Sequence, residues 1–373
     1  MVGVVGRGGV RFLLIATFCS LIWLTGCPGS FHNLLGEPPE QDMIWPDKRG
    51  SGEFGASGDF IFYGHQCDPP ELEVWRWSDD TIKKRYSVQF DRDISSAALG
   101  PANMWTCELF DKQQGAEICI GDLKSGKIIA RRKLLFQDAN VWKSTGDGGA
   151  HLGRSSRNGK YVGVWDDQSF EKHIVRFGLV APDGKSFNWI VDLHPEHYSA
   201  KFSYPVVPSD NGAFIGVGGW ENGIAVIDVA KKRVLWTLKP ELDADINDIA
   251  FSPDIKFVYA GGVRGLVYGV KLETGEIVSK WWATLSKKEE YGHYIDTISV
   301  SPDGKFVAAG TIPDGLAWLF SAKDGHRRIF EHGGKGVYMT AFSPDSKRLA
   351  SYGAGKIKIW KLPEETTKPT PSR

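Results

Sequence analysis

The sequence predicts an all-β fold, a single β-propeller of seven four-stranded blades closed by an N-terminal strand. Three observations carry this reading. A short turn motif recurs seven times at roughly one blade length. The segments between copies are short, β-branched and aromatic, and turn residues bound them. No convincing helical periodicity interrupts them.

The recurrence is clearest near the C-terminus. Phe251-Ser252-Pro253-Asp254-Ile255-Lys256-Phe257-Val258 returns as Val300-Ser301-Pro302-Asp303-Gly304-Lys305-Phe306-Val307 and as Phe342-Ser343-Pro344-Asp345-Ser346-Lys347-Arg348-Leu349. Weaker copies are Pro208-Ser209-Asp210-Asn211-Gly212, Arg157-Asn158-Gly159, Pro101-Ala102-Asn103 and Ser57-Gly58-Asp59. Anchored on Gly58, Asn103, Asn158, Asp210, Asp254, Asp303 and Asp345, the spacings are 45, 55, 52, 44, 49 and 42. Such units are too long for a solenoid of about 20–30 residues per repeat and match a propeller blade. A second turn carries Gly in Lys124-Ser125-Gly126-Lys127, Glu273-Thr274-Gly275-Glu276 and Lys323-Asp324-Gly325-His326. A positive φ there explains the residue, since Gly alone takes that angle freely.

The last copy supplies only three strands, and a fourth is needed to avoid an open sheet edge. Asp42-Met43-Ile44-Trp45 is the spare apolar piece. The propeller is therefore expected over residues 41–362, with 363–373 as a flexible tail.

Residues 1–26 read as a signal peptide. Arg7 and Arg11 are the only charges before Glu37, and the apolar run after them is about a dozen residues long. A membrane-spanning helix needs about 20. The run ends in Leu24-Thr25-Gly26-Cys27, which resembles the lipobox of bacterial lipoproteins. The resemblance implies that Cys27 is acylated and becomes the first mature residue, anchored in a membrane. Pro28 stands where many inner-membrane lipoproteins carry Asp. By that family rule an outer-membrane protein facing the periplasm is favoured, with the cell surface as the alternative. Residues 27–40 are turn-rich and read as a tether.

Composition limits the function. The 45 Lys and Arg balance 45 Asp and Glu, so no general basic field draws nucleic acid. Cys67, Cys107 and Cys119 remain in the mature chain besides Cys27. Cys107 and Cys119 fall on adjacent strand-like runs, as a facing pair or as reduced core residues. No Cys-x-x-Cys, nucleophile elbow or His-Glu-x-x-His occurs. Gly184-Lys185-Ser186 lacks the Gly five residues earlier that a phosphate loop needs. His194-Pro195-Glu196-His197 reads as a solvated loop, Trp165 as blade core, and Asp166-Asp167 as turn residues. The sequence thus predicts no cofactor, no metal and no catalytic residue.

Residues 200–362 resemble WD40 repeats, most clearly in the last three copies. The run from Ser343-Pro344-Asp345 to Lys356-Ile357-Lys358-Ile359-Trp360 carries the likeness. Trp360 is followed by Lys361 rather than Asp. Gly292-His293 sits too close to the next strand for the family's Gly-His pair, and His332 one residue too far. The family's buried Asp-His-Ser-Trp hydrogen-bond set is expected to be incomplete in every blade. The resemblance implies a closed ring and a surface for protein partners, not a chemistry.

Loops joining second to third strands, and loops joining successive blades, share one face of a propeller. That face would carry Trp220, Glu221, Arg264, Pro313-Asp314, Tyr291, His293 and Tyr294. Trp, Tyr and Arg dominate interface energies. The reading is a monomeric, lipid-anchored, extracytoplasmic interaction scaffold with an unidentified protein partner. Three alternatives stand beside it. One is a propeller hydrolase or quinone-type dehydrogenase using Asp248, Asp296 and His151 around the channel. Another is a carbohydrate- or peptide-binding sensor. The third is an outer-membrane protein assembly factor, hinted at by Thr274-Gly275 and Trp236.

Overall fold

The computed structural model describes residues 39, 41–44, 50–54, 59–64, 69–78, 81–100, 103–111, 115–133, 150–169, 174–180, 187–193, 205–219, 223–239, 245–285 and 293–363. The signal peptide, Cys27, the tether apart from Pro39, Trp45, Cys67, the 184–186 turn, the 194–197 cluster, Trp220, Glu221, Tyr291 and the tail from 364 lie outside the described residues.

The described strands form seven four-stranded antiparallel sheets. The first holds β2 (Gly50–Phe54), β3 (Asp59–Gly64), β4 (Glu71–Ser78) and β5 (Thr81–Gln89). The second holds β6 (Asp93–Gly100), β7 (Met104–Asp111), β8 (Gly115–Asp122) and β9 (Ile128–Lys133). The third holds β10 (Ala150–Ser155), β11 (Val162–Ser169), β12 (Ile174–Val180) and β13 (Phe187–Leu193). The fourth holds β14 (Val206–Pro208), β15 (Phe214–Gly219), β16 (Gly223–Asp228) and β17 (Arg233–Leu238). The fifth holds β18 (Ile246–Phe251), β19 (Phe257–Gly262), β20 (Leu266–Lys271) and β21 (Ile277–Trp282). The sixth holds β22 (Tyr294–Val300), β23 (Phe306–Ile312), β24 (Leu316–Ser321) and β25 (Arg327–Glu331). The seventh holds β26 (Met339–Phe342), β27 (Arg348–Gly353), β28 (Lys356–Lys361) and, from the other end of the chain, β1 (Gln41–Ile44). β1 pairs antiparallel with β28, Met43 opposite Ile357, and covers the edge that the seventh sheet would otherwise expose.

The first strand of each sheet touches the first strand of the next, and β26 touches β2, so the ring closes. This is a β-propeller. Side chains alternate along a strand, so each sheet feeds two neighbours. On β16, Ile224 and Val226 enter the core shared with the fifth sheet, while Ala225 and Ile227 enter the core shared with the third. A buried apolar cluster fills every junction, including the one where Met339 and Tyr352 of the seventh sheet meet Trp77 of the first.

The recurrent motif is the turn between first and second strands. The Ser301 hydroxyl donates to Asp303 Oδ1 at 2.6 Å and accepts the N–H of Phe306 at 2.9 Å. Ser252–Asp254, Ser343–Asp345 and Ser156–Asn158 repeat the arrangement. In the fourth sheet the partner of Ser209 is Asn211, not Asp210, at 2.8 Å. The sequence anchor there was one residue early. Asp210 serves the junction instead, pairing with Arg157 and accepting the N–H of Asn158 at 2.9 Å.

Gly126, Gly275 and Gly325 have φ of 72°, 73° and 72°, as their turns require. Each sits beneath an aromatic ring of the preceding sheet's fourth strand: Tyr86, Trp236 and Trp281. Trp165 is buried as expected. Asp166 and Asp167, read as turn residues, instead continue β11 opposite Arg176 and Val175.

Candidate interaction face and central channel

Three of the six interaction-face candidates can be placed, and they come together. The turn from β19 to β20 holds Arg264 at φ 66° and Gly265 at φ 67°. Val263 forms an antiparallel bridge to Tyr294 at the start of β22. His293, next to Tyr294, lies close to Gly265 and 3.6 Å from the Asp314 carboxylate. The Thr311 hydroxyl donates to Asp314. Arg264, His293, Tyr294 and Asp314 thus meet where the fifth and sixth sheets join. Tyr294 is 42% exposed, and Leu285 and Tyr338 are exposed in the same set of inter-sheet connections. Tyr338 belongs to no motif that the sequence makes conspicuous. Its signal is its place immediately before the first strand β26.

In the seventh sheet the hydrogen-bond set is more complete than expected. The Trp360 Nε1–H donates to Ser351 Oγ at 2.8 Å. That hydroxyl reaches His332 Nδ1 at 2.7 Å, and His332 Nε2 reaches the carbonyl of Gly353 at 2.7 Å. A carbonyl only accepts, so Nε2 carries the proton and Ser351 donates to Nδ1. His332 was read as one residue too far from the strand. Gly333 and Gly334, at φ 80° and 81°, absorb the extra residue. The Gly353 carbonyl takes the place of the family's Asp.

The channel is built by first strands. A cavity of about 110 Å³ lies among Arg154, Arg157, Val207, Asp210, Ser299 and Thr340. β14 is short and presents Val207 there, so Arg154 reaches past the fourth sheet to the fifth. Its Nη1 lies 2.9 Å from Asp248 Oδ2. Asp248 is fully buried and also accepts the N–H groups of Ile298 at 2.6 Å and Ile249 at 2.8 Å. Burial pushes its carboxyl above the usual range, against the pull of Arg154. Burial likewise raises Asp296 to about 6, with Arg154 opposing and the Asp248 charge adding to the rise. Two of the three channel candidates, Asp248 and Asp296, therefore share Arg154. His151 lies on the first strand β10. Among the described residues no group of three His, Cys, Asp or Glu could hold a metal ion.

The family model for the WD domain, G-beta repeat, matches residues 323–361. That unit runs from β25 through β28 and contains His332, Ser351 and Trp360. The propeller is WD40-like. Cross-pathway control WD-repeat protein 2 of Flammulina velutipes is 37% identical over 78 residues, 20% of this chain and 24% of that protein. Small ribosomal subunit protein RACK1z of Oryza sativa subsp. japonica is 34% identical over 74 residues, 20% of this chain and 22% of that one. WD repeat-containing protein SL1-17 of Schistosoma mansoni is 30% identical over 118 residues, 31% of this chain and 36% of that one. The matched region thus spans about a quarter to a third of these relatives. A chain from the crystal structure of a mitotic checkpoint complex superposes with a TM-score of 0.63 at 13% identity, over 88% of this chain and 93% of that one. That likeness concerns the fold.

Proposed function

We propose that this chain is a lipid-anchored, extracytoplasmic, seven-bladed propeller that serves as a protein-interaction scaffold and performs no catalysis of its own. The observation that carries this is the gathering of Arg264, His293, Asp314 and the exposed Tyr294 at one sheet junction. Such residues anchor interfaces, and WD40-like rings present their loops as docking surfaces. Trp220, Glu221 and Tyr291 extend the same face in this reading. The address rests on Leu24–Cys27: residues 1–26 are the signal peptide, acylated Cys27 is the anchor, and 27–40 are the tether. Pro28 favours an outer-membrane site facing the periplasm, with the cell surface as the alternative.

A second reading has one observation in its favour. The Arg154, Asp248 and Asp296 cluster beside the channel cavity suits a small polar ligand, as a sensor or enzyme would need.

Crosslinking in the native cell identifies the partner. Tyr294→Ala and Arg264→Ala should then weaken binding of that partner by roughly thirtyfold, about 2 kcal/mol. Melting should change little for Tyr294→Ala. Unchanged affinity in both variants would place the interface elsewhere. Cys27→Ser should move the protein out of the membrane fraction; a variant that stays there, with no lipid on native Cys27 by mass spectrometry, refutes the anchor.

A further inference from the structure

Cys107 on β7 and Cys119 on β8 stand directly opposite each other in the second sheet. Opposed residues project from the same side of a sheet. Both side chains enter the core shared with Leu72 and Val74 of the first sheet, and both are fully buried. Both are free thiols, and they hydrogen-bond to each other.

The ladder fixes their geometry. The N–H of Leu123 donates to the carbonyl of Asn103 at 2.8 Å, which makes Asn103 and Leu123 a hydrogen-bonded pair. Such pairs alternate with non-bonded ones along an antiparallel ladder. Cys107 and Cys119, four residues further along each strand, are therefore also a hydrogen-bonded pair, with Cα atoms about 5.5 Å apart. Disulfides bridge Cα separations of about 4.4–6.8 Å. Their Cβ atoms, however, usually stand about 3.5–4.5 Å apart, and hydrogen-bonded cross-strand positions sit at the wide end of about 4.5–5.5 Å. The pair is close enough to join, and joining draws the strands inward. A bond formed against such strain is more easily reduced than a relaxed one.

We propose that Cys107 and Cys119 are the site of a reversible cross-strand disulfide. The oxidant is a disulfide of a small thiol or of a thiol-oxidising protein. The Cys119 sulfur attacks it as the thiolate, breaks its S–S bond and releases one thiol. The Cys107 sulfur, once deprotonated, attacks the mixed disulfide and releases the second thiol. The two cysteines lose two protons and two electrons in all, and the oxidant is reduced to two thiols. The order follows from the environment. The Cys107 thiol donates to Cys119 and holds its pKa down, with Arg131 acting in the same direction, whereas burial pushes Cys107 up. Both sulfurs are shut inside the sheet, so the reaction belongs to folding or to opening of the β7–β8 hairpin.

The experiment uses the purified full-length chain in detergent and does not depend on its cellular address. The protein is unfolded, refolded in oxidised glutathione, alkylated and digested with trypsin. Cleavage after Arg92, Lys112 and Lys124 separates the two cysteines. The expected product is peptide 93–112 linked to peptide 113–124, lost on treatment with dithiothreitol. Oxidised wild-type protein should melt several degrees above the reduced form, a difference absent in Cys119→Ala. Recovery of both cysteines as separately alkylated thiols overturns the proposal. So does preferential linkage of either one to Cys67.

Discussion

Trp281 on β21 stacks on Phe320 of the next sheet, with ring centroids 5.4 Å apart and planes 15° from parallel. Tyr259 stacks on Trp281 from its own sheet at 5.7 Å, and Gly325 of the neighbouring turn lies beneath the indole. One ring therefore ties the fifth sheet to both the strand and the turn of the sixth. Because each core lies between sheets, a junction is where the ring gains its stability.

Trp281→Ala should cost about 2–4 kcal/mol, the scale for losing a large and mostly buried aromatic. Gly325→Ala attacks the same clasp from the other side. A Cβ there would stand 2.5 Å from the Trp281 Nε1, at a φ of 72° that disfavours it. Urea unfolding of both variants tests this; losses under about 0.5 kcal/mol would show that the stack is ornamental.

Deleting residues 41–44 removes the fourth strand of the seventh sheet. The edge of β28 is then left open, and the whole ring should melt at least several degrees lower and aggregate more readily. Removing 28–38 should leave melting unchanged. Equal melting temperatures for the two deletions would mean that β1 adds nothing to closure.

His332 holds its place through partners on two sides. His332→Ala leaves the buried Ser351 hydroxyl without its acceptor and the Gly353 carbonyl without its donor. The expected loss is about 2–3 kcal/mol. Ser351→Ala should cost about the same and couple strongly with it, because both act in one chain ending at Trp360. A double-mutant cycle reads this directly; additive losses would mean that the two contacts are independent.

What could be read in advance was local. The Ser301–Asp303 turn closes within a few residues, so its signature survives in any single copy. The φ of Gly275 follows from its turn alone. The Asp210 anchor failed because Asn211 accepts the same hydroxyl, and two adjacent acceptors look alike in a weak copy. The spacing of His332 misleads because Gly333 and Gly334, both at positive φ, shorten the reach of the loop that follows it. The ion pair of Arg154 and Asp248, 94 residues apart, depends on the curvature of the closed ring. No spacing rule in the chain encodes it. The grouping of Arg264 with Tyr294 is legible because a propeller brings these two kinds of loop to one face.

The carboxyl of Asp296 should make the ring less stable as pH rises through the mildly acidic range. In the unfolded chain its pKa is near 3.8, and in the folded protein about 6. Between those values the folded state keeps a proton that the unfolded chain has lost, so stability falls from about pH 4 to 6 and then levels off. The fully buried Asp248 contributes in the same direction. Asp122 and Asp324 act oppositely. Hydrogen bonds from the hydroxyls of Ser125 and Ser321 hold them below the usual range, and their contribution is lost only as pH falls through their folded values, below about 4. The two windows barely overlap. Asp296→Asn should therefore flatten the slope between pH 4 and 6 and raise stability at pH 7.5 by about 1–3 kcal/mol, up to the full difference of about two pKa units. Urea unfolding at pH 4.5 and 7.5 decides it. Identical pH slopes in wild type and variant would mean that Asp296 ionises in the folded ring as it does in the unfolded chain.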